Sequence, residues 1–143
     1  MNNEPSLETI VSEFRAREEA RNSIAEADAR ATIETYFRAF FANAPVVSAV
    51  RWEQFTPYFN DGDTCTFNVY SDGAIRFDGE EDFSETWDLR EVADPARKAA
   101  VELLRSTFPD LARAENAFLT VFGDHAQITA TREGFEVTEY SHD

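Results

Sequence analysis

The stretch from Trp52 to Phe67 constrains the fold of this chain more than any other. It packs five aromatic rings (Trp52, Phe55, Tyr58, Phe59, Phe67), Pro57 and an Asn60-Asp-Gly-Asp63 turn into sixteen residues. Rings of this size dominate the cores they enter, and Asp-Gly supplies the positive φ of a tight turn. The segment therefore predicts the centre of a folded β region. On either side, Val47–Trp52 and Cys65–Tyr70 are rich in β-branched and aromatic residues and read as strands. Period-two alternation puts Cys65, Phe67 and Val69 on one face and Thr66, Asn68 and Tyr70 on the other. Ser71-Asp-Gly73 reads as a second turn, followed by a short return strand, Ala74–Phe77.

Upstream, residues 6–42 read as helix. Leu7, Ile10, Val11 and Phe14 recur at helical spacing, the stripe thins through Arg15–Asn22, and it resumes densely at Ile33, Tyr36, Phe37, Phe40 and Phe41. Ser23-Ile-Ala-Glu26 has the form of a capping box. The segment is therefore either one long helix with a solvated waist or two helices breaking near Asn22. Glu26, Arg30, Glu34 and Arg38 form an i,i+4 ladder of alternating sign, which marks an exposed face. A stripe strong at its two ends suits either an amphipathic helix on its own sheet or an arm that pairs with another copy.

Downstream, Asp78–Asp94 carries eight acids against Arg90 alone and reads as a charged surface loop. Asp94-Pro95 is an N-cap followed by proline at the first helical position. That helix is expected to run to about Thr107, where Pro109-Asp110 breaks it and opens a third helix ended by Gly123. Gln127–Arg132 and Gly134–Tyr140 alternate as a terminal hairpin. The expected fold is α+β: a long N-terminal helix, an antiparallel sheet of about four to five strands, and two further helices before a C-terminal hairpin. Residues 1–143 form one domain, with 6–42 as an arm or helical hairpin and 46–143 as the body. Thirteen Phe, four Tyr and two Trp are enough to fill its core.

Twenty-eight acids against thirteen bases leave a net charge of -15. Such a surface repels phosphates and anionic lipid, so neither nucleic acid nor membrane is an expected direct ligand. A basic protein is. Cys65 is the only cysteine, which excludes an internal disulfide and fits a reducing cytoplasm. No leader and no apolar run of membrane-spanning length is visible.

Reactive constellations are scarce. Asn60–Asp63 lacks the distal Glu of a calcium loop and reads as a hairpin turn. One Cys and two His make no zinc set, and no metal or cofactor is expected. His125 follows Asp124, which is placed to orient it as a base; its plainer reading is a loop residue. His142 lies near the end of the chain, and Cys65 reads as packed within a strand. No phosphate loop, nucleophile elbow or kinase signature occurs, so an enzyme is not expected. A rigid array of carboxylates can, however, imitate the charge of DNA, about one per 1.7 Å of axis.

The string Trp52-Glu-Gln-Phe-Thr-Pro-Tyr-Phe-Asn-Asp-Gly-Asp-Thr-Cys-Thr-Phe67 resembles a W-x-Q-[YF]-T-P-Y-F-N-D-G-D-x-C-x-F pattern of small tailed-bacteriophage proteins of uncharacterised activity. It covers about a tenth of the chain. The resemblance implies a phage accessory protein acting in the cytoplasm of a bacterial host, and it carries over no catalytic residue.

These observations predict a non-enzymatic acidic protein that is homo-oligomeric through its N-terminal helix. It would bind and inhibit a basic host protein of nucleic-acid handling or defence, by DNA mimicry. The expected partner-binding residues are Glu80, Glu81, Asp82, Glu85 and Asp88. Two alternatives stand beside it. One is an oligomer that sequesters a signalling nucleotide, using Arg51 and Arg76 beside the aromatics Trp52 and Phe77. The other is a structural assembly component.

Overall fold

A computed structural model describes residues 6–57, 65–89 and 92–140, with the side chains of Asn22 and Ile24 set aside. The Asn60–Asp63 turn, Arg90, Glu91 and His142 lie outside the described residues.

Helix α1 runs unbroken from Leu7 to Asn43. Its cap is Ser6, whose Oγ accepts from the Thr9 N–H at 3.2 Å. The Ser23–Glu26 box caps nothing, because the N–H groups it would satisfy already lie inside the helix. Among the described residues no side chain before Ile33 is buried. At 1.5 Å per residue, α1 therefore extends roughly 40 Å before it reaches the core. Leu7, Ile10, Val11 and Phe14 are 80, 46, 48 and 57% exposed on that stretch.

The body is a five-stranded antiparallel sheet in the order β3-β2-β1-β4-β5. Its strands are β1 Val47–Phe55, β2 Asn68–Phe77, β3 Ser84–Glu85, β4 Ala126–Thr131 and β5 Gly134–Glu139. Helices α2 (Pro95–Ala112) and α3 (Glu115–Phe122) precede the final hairpin, so the fold is the α+β arrangement expected. The last turns of α1, together with α2 and α3, cover one face of the sheet and build a single core with it. Trp52 is its hub and is fully buried. Phe37 stacks parallel on it at 5.4 Å, and Phe108, Phe118 and Phe122 surround it at 5.1–5.9 Å.

Three local expectations fail. Ser71-Asp-Gly73 is not a turn between strands; it is a bulge within β2. Arg51 pairs with Ala74 and Glu53 with Tyr70, so three residues of β2 oppose Trp52 alone. Gly73 adopts φ +49°, which supplies the bend. Pro109 does not end α2 either. It lies in the last turn, where its missing N–H deprives only the Arg105 carbonyl of a partner. The helix ends instead at Ala112, with Arg113 as its cap and the Ala114 N–H turned back to Leu111 O. Cys65 falls before β2, half-buried and outside the sheet. No described helix is long and apolar enough to cross a membrane.

Candidate functional site

The acidic segment is held to the sheet by three contacts. β3 pairs with β2 at Ala74 and Ile75 and forms an edge of the sheet. The next residue, Thr86, is buried and opens a 3₁₀ turn, Thr86–Leu89. Its hydroxyl donates to Asp72 O, inside the bulge that Gly73 creates. Further upstream, Glu80 meets Arg97 of α2 at 2.7 Å, and the Arg97 guanidinium lies over Phe77. What reads in sequence as a solvated loop is therefore a fixed rim.

The five expected partner-binding acids divide on this rim. Glu81, Asp82, Glu85 and Asp88 are exposed and make no ion pair among the described residues. Glu80 is half-buried and tied to Arg97, so it anchors the rim rather than presenting charge. Trp87 was not singled out by the sequence reading. It is 57% exposed, between Glu85 and Asp88. A large exposed ring inside a charge cluster was the signal available; composition alone pointed to the acids.

The quartet of Arg51, Trp52, Arg76 and Phe77 does not line one pocket. Adjacent residues of a strand point to opposite faces. Trp52 and Phe77 are buried in the helix-covered core, while both arginines lie on the opposite, outer face, where each guanidinium packs on Phe83. Farther along that face Phe55 stacks on Tyr70 at 4.3 Å and on Tyr140 at 5.4 Å.

His125 and Asp124 are not arranged as base and orienter. The two oxygens of Asp124 accept from the Thr56 N–H at 2.8 Å, the Thr56 hydroxyl at 2.7 Å and the His125 N–H at 2.8 Å. The His125 Nε2 is 3.8 Å from the carboxylate, beyond hydrogen-bond reach. Asp124 thus clamps the end of β1 to the loop before β4. Slight burial alone would raise its pKa, but the hydrogen bonds from Thr56 and the His125 N–H, with the nearby imidazole, hold it below the ordinary 3.8. Because the folded value is depressed, its stabilisation is present above the unfolded value and is lost as pH falls through the folded one. Asp124→Asn is therefore expected to lower Tm at pH 7, with the gap from the parent closing below about pH 4. Melting curves across acid pH check this, and a pH-independent gap would refute it.

Tyr36 sits at the junction of α1 and α2. Thr107 donates to Leu103 O at 2.7 Å, so the Tyr36 hydroxyl donates to Thr107 Oγ1 at 2.8 Å. Burial pushes the Tyr36 pKa up, only partly offset by this bond. A cleft of about 480 Å³ lies between α1 and the β4–β5 turn, bordered by Glu34, Phe37, Arg38, Arg132 and Phe135. Its Arg132 is already committed to Pro45 O at 2.9 Å and to the face of Phe41. Among the described residues no group of three His, Cys, Asp or Glu side chains could hold a metal ion. No protein-family model matches the chain, and no curated protein or solved structure shows significant similarity to it.

Proposed function

We propose that this is a non-enzymatic, acidic protein-binding protein. The observation that carries the proposal is Trp87, 57% exposed, set among the exposed carboxylates Glu81, Asp82, Glu85 and Asp88 on a pinned sheet edge. An aromatic anchor within a ring of like charge is the composition of a docking surface for a basic, partly apolar partner. Pinning lowers the ordering cost on association. The net charge of -15 speeds encounter with a basic protein and disfavours nucleic acid itself. The partner we propose is a nucleic-acid-binding or defence protein whose basic groove these carboxylates fill in place of phosphates. In the same proposal the activity is assigned to a bacterial host cytoplasm, a reading that the resemblance of Trp52–Phe67 to phage proteins supports.

The test uses capture of host proteins at low and high salt, with binding affinity measured for the protein so identified. Replacing Glu81, Asp82, Glu85 and Asp88 with Ser is expected to weaken binding at least a hundredfold and to flatten its salt dependence. Trp87→Ala should cost about 2 kcal/mol or more in binding. Glu80 is left in place, since its loss would loosen the rim. Unchanged affinity in both variants would overturn the reading.

The arm of α1 belongs to the same proposal. We assign its exposed Leu7, Ile10, Val11 and Phe14 stripe to pairing with a second copy, in which Glu8 and Glu13 of one arm run against Arg15, Arg17 and Arg21 of the other. The chain is expected to sediment as a dimer. Ile10→Asp with Phe14→Asp should give a monomer whose body melts within about 2 °C of the parent, because no core contact is touched. A double variant that still sediments as a dimer, or a parent that is monomeric, would sink this assignment.

A further inference from the structure

On the outer face of the sheet, Arg51 and Arg76 converge on one ring. Their guanidinium carbons lie 4.3 and 5.3 Å from the Phe83 centroid. Among the described residues neither arginine forms an ion pair, although acids outnumber bases 28 to 13 in the chain. The Arg76 Nε donates to Ser48 Oγ at 3.0 Å, and that hydroxyl donates to Arg76 O at 3.1 Å. This locks the side chain and leaves its terminal nitrogens without a hydrogen bond among the described residues. Among the described residues the Arg51 side chain makes no hydrogen bond, and its Nε is buried without a partner. The neighbouring same-face carboxylate, Glu53, instead accepts from Gln127 Nε2 at 3.1 Å. Glu85, across Ala74 from Arg51, also stays out of ion-pair range.

A guanidinium is a rigid fork of donors that matches the oxygens of a phosphoryl group. Withdrawing it partly from water without a counter-charge is unfavourable unless an anion completes the site. Packing on Phe83 holds both forks against one ring and lowers the ordering cost of binding.

We propose that Arg51 and Arg76, seated on Phe83, form an anion site that takes the phosphoryl group of a small phosphorylated molecule. The site adjoins the acidic rim, which supplies Phe83, but has the opposite preference: it faces an anion, where the rim faces a cation. Of the quartet expected from sequence, only the two arginines belong to it, and Phe83 replaces Trp52 and Phe77 as the aromatic partner.

Titration calorimetry with inorganic phosphate, pyrophosphate, AMP and ATP at constant ionic strength tests it. Saturable binding of at least one of these at one site per chain is expected. Arg51→Gln or Arg76→Gln should weaken it about ten- to a hundredfold, while Lys98→Gln, a remote exposed cation, should not change it. Arg51→Lys keeps the charge and loses the fork, so it should also bind more weakly, and it serves where Arg51→Gln does not fold. ATP or AMP binding tighter than pyrophosphate would identify a nucleotide; phosphate and pyrophosphate alone would identify a simpler phosphoryl compound. In the complex, the Arg51 Nε–H resonance should shift on saturation. The proposal is overturned if none of the four probes saturates, or if they bind both glutamine variants as they bind the parent. The four-acid rim variant should retain this binding, so failure here and failure of the docking surface are read separately.

Discussion

Gln54→Ala is expected to destabilise the protein by about 3–5 kcal/mol and to lower Tm by roughly 10–20 °C. Gln54 is a fully buried polar side chain at the seam between β1 and α3. Its Nε2 donates to Phe118 O at 2.9 Å and Gly123 O at 2.7 Å, and its Oε1 accepts from Trp52 Nε1 at 3.1 Å. One amide therefore bonds to the hub tryptophan, to a carbonyl within α3 and to the carbonyl of the Gly123 cap that follows it. Truncation leaves three buried polar groups without this partner and opens a cavity beside Trp52. Each unsatisfied group costs on the order of 1–3 kcal/mol, and the cavity adds to that. Gln54→Leu separates the two effects. It fills the space and should recover only the cavity part, remaining about 2–3 kcal/mol below the parent. Denaturant titration of the three proteins measures this. A Leu variant as stable as the parent would show that the hydrogen bonds contribute nothing net.

Gly73→Val should be the other severe substitution, at about 2–4 kcal/mol. Gly73 holds φ +49°, and a Cβ there would lie 3.1 Å from the Arg51 carbonyl oxygen. A β-branched residue is strained in that conformation and also crowds the backbone of β1. The effect should spread beyond the bulge. Asp72 O receives the Thr86 hydroxyl, so displacing the bulge frees the 3₁₀ turn that carries Trp87. Amide exchange across Ser84–Leu89 should quicken more than exchange in β4. Gly73→Asn, which tolerates left-handed backbone, should cost only about 1 kcal/mol. Equal loss in the Asn and Val variants would place the penalty in the carbonyl contact rather than in the backbone conformation.

Both residues show how a local reading succeeds and where it stops. Asp-Gly was legible as a place where the chain bends, because positive φ is a property of the dipeptide. Whether the bend reverses the strand or only bulges it depends on what lies opposite, and here β1 continues past Trp52 and pairs again at Glu53. Pro109 was legible as a missing donor. That the helix absorbs it follows from Phe108 and Ala112, which stay buried in the core on either side. Gln54 carried no local signal, since its partners lie 64 and 69 residues away in α3 and at Gly123.

The acidic rim was readable as charge, but its division was not. Glu80 differs from Glu81 only in meeting Arg97 of α2. The arginine site was half readable. The types Arg51 and Arg76 pointed to anion chemistry, yet sequence neighbours are the residues a strand sends to opposite faces. Trp52 and Phe77 had to leave the site, and Phe83 entered it from another segment.

By itself the sequence determined the element types, the cap at Asp94, the order of helix, sheet, helices and hairpin, and the sign of the surface. Those follow from periodicity, side-chain chemistry and composition, which act over a few residues or over the whole chain at once. Only the tertiary structure decided that α1 stays unbroken and solvent-exposed up to Ile33, that Trp52 is the hub of the core, and that Thr86 and Glu80 pin the rim bearing Trp87. Those depend on register and on contacts between distant segments. The same local pattern is compatible with several such arrangements, and packing of the aromatic core selects among them.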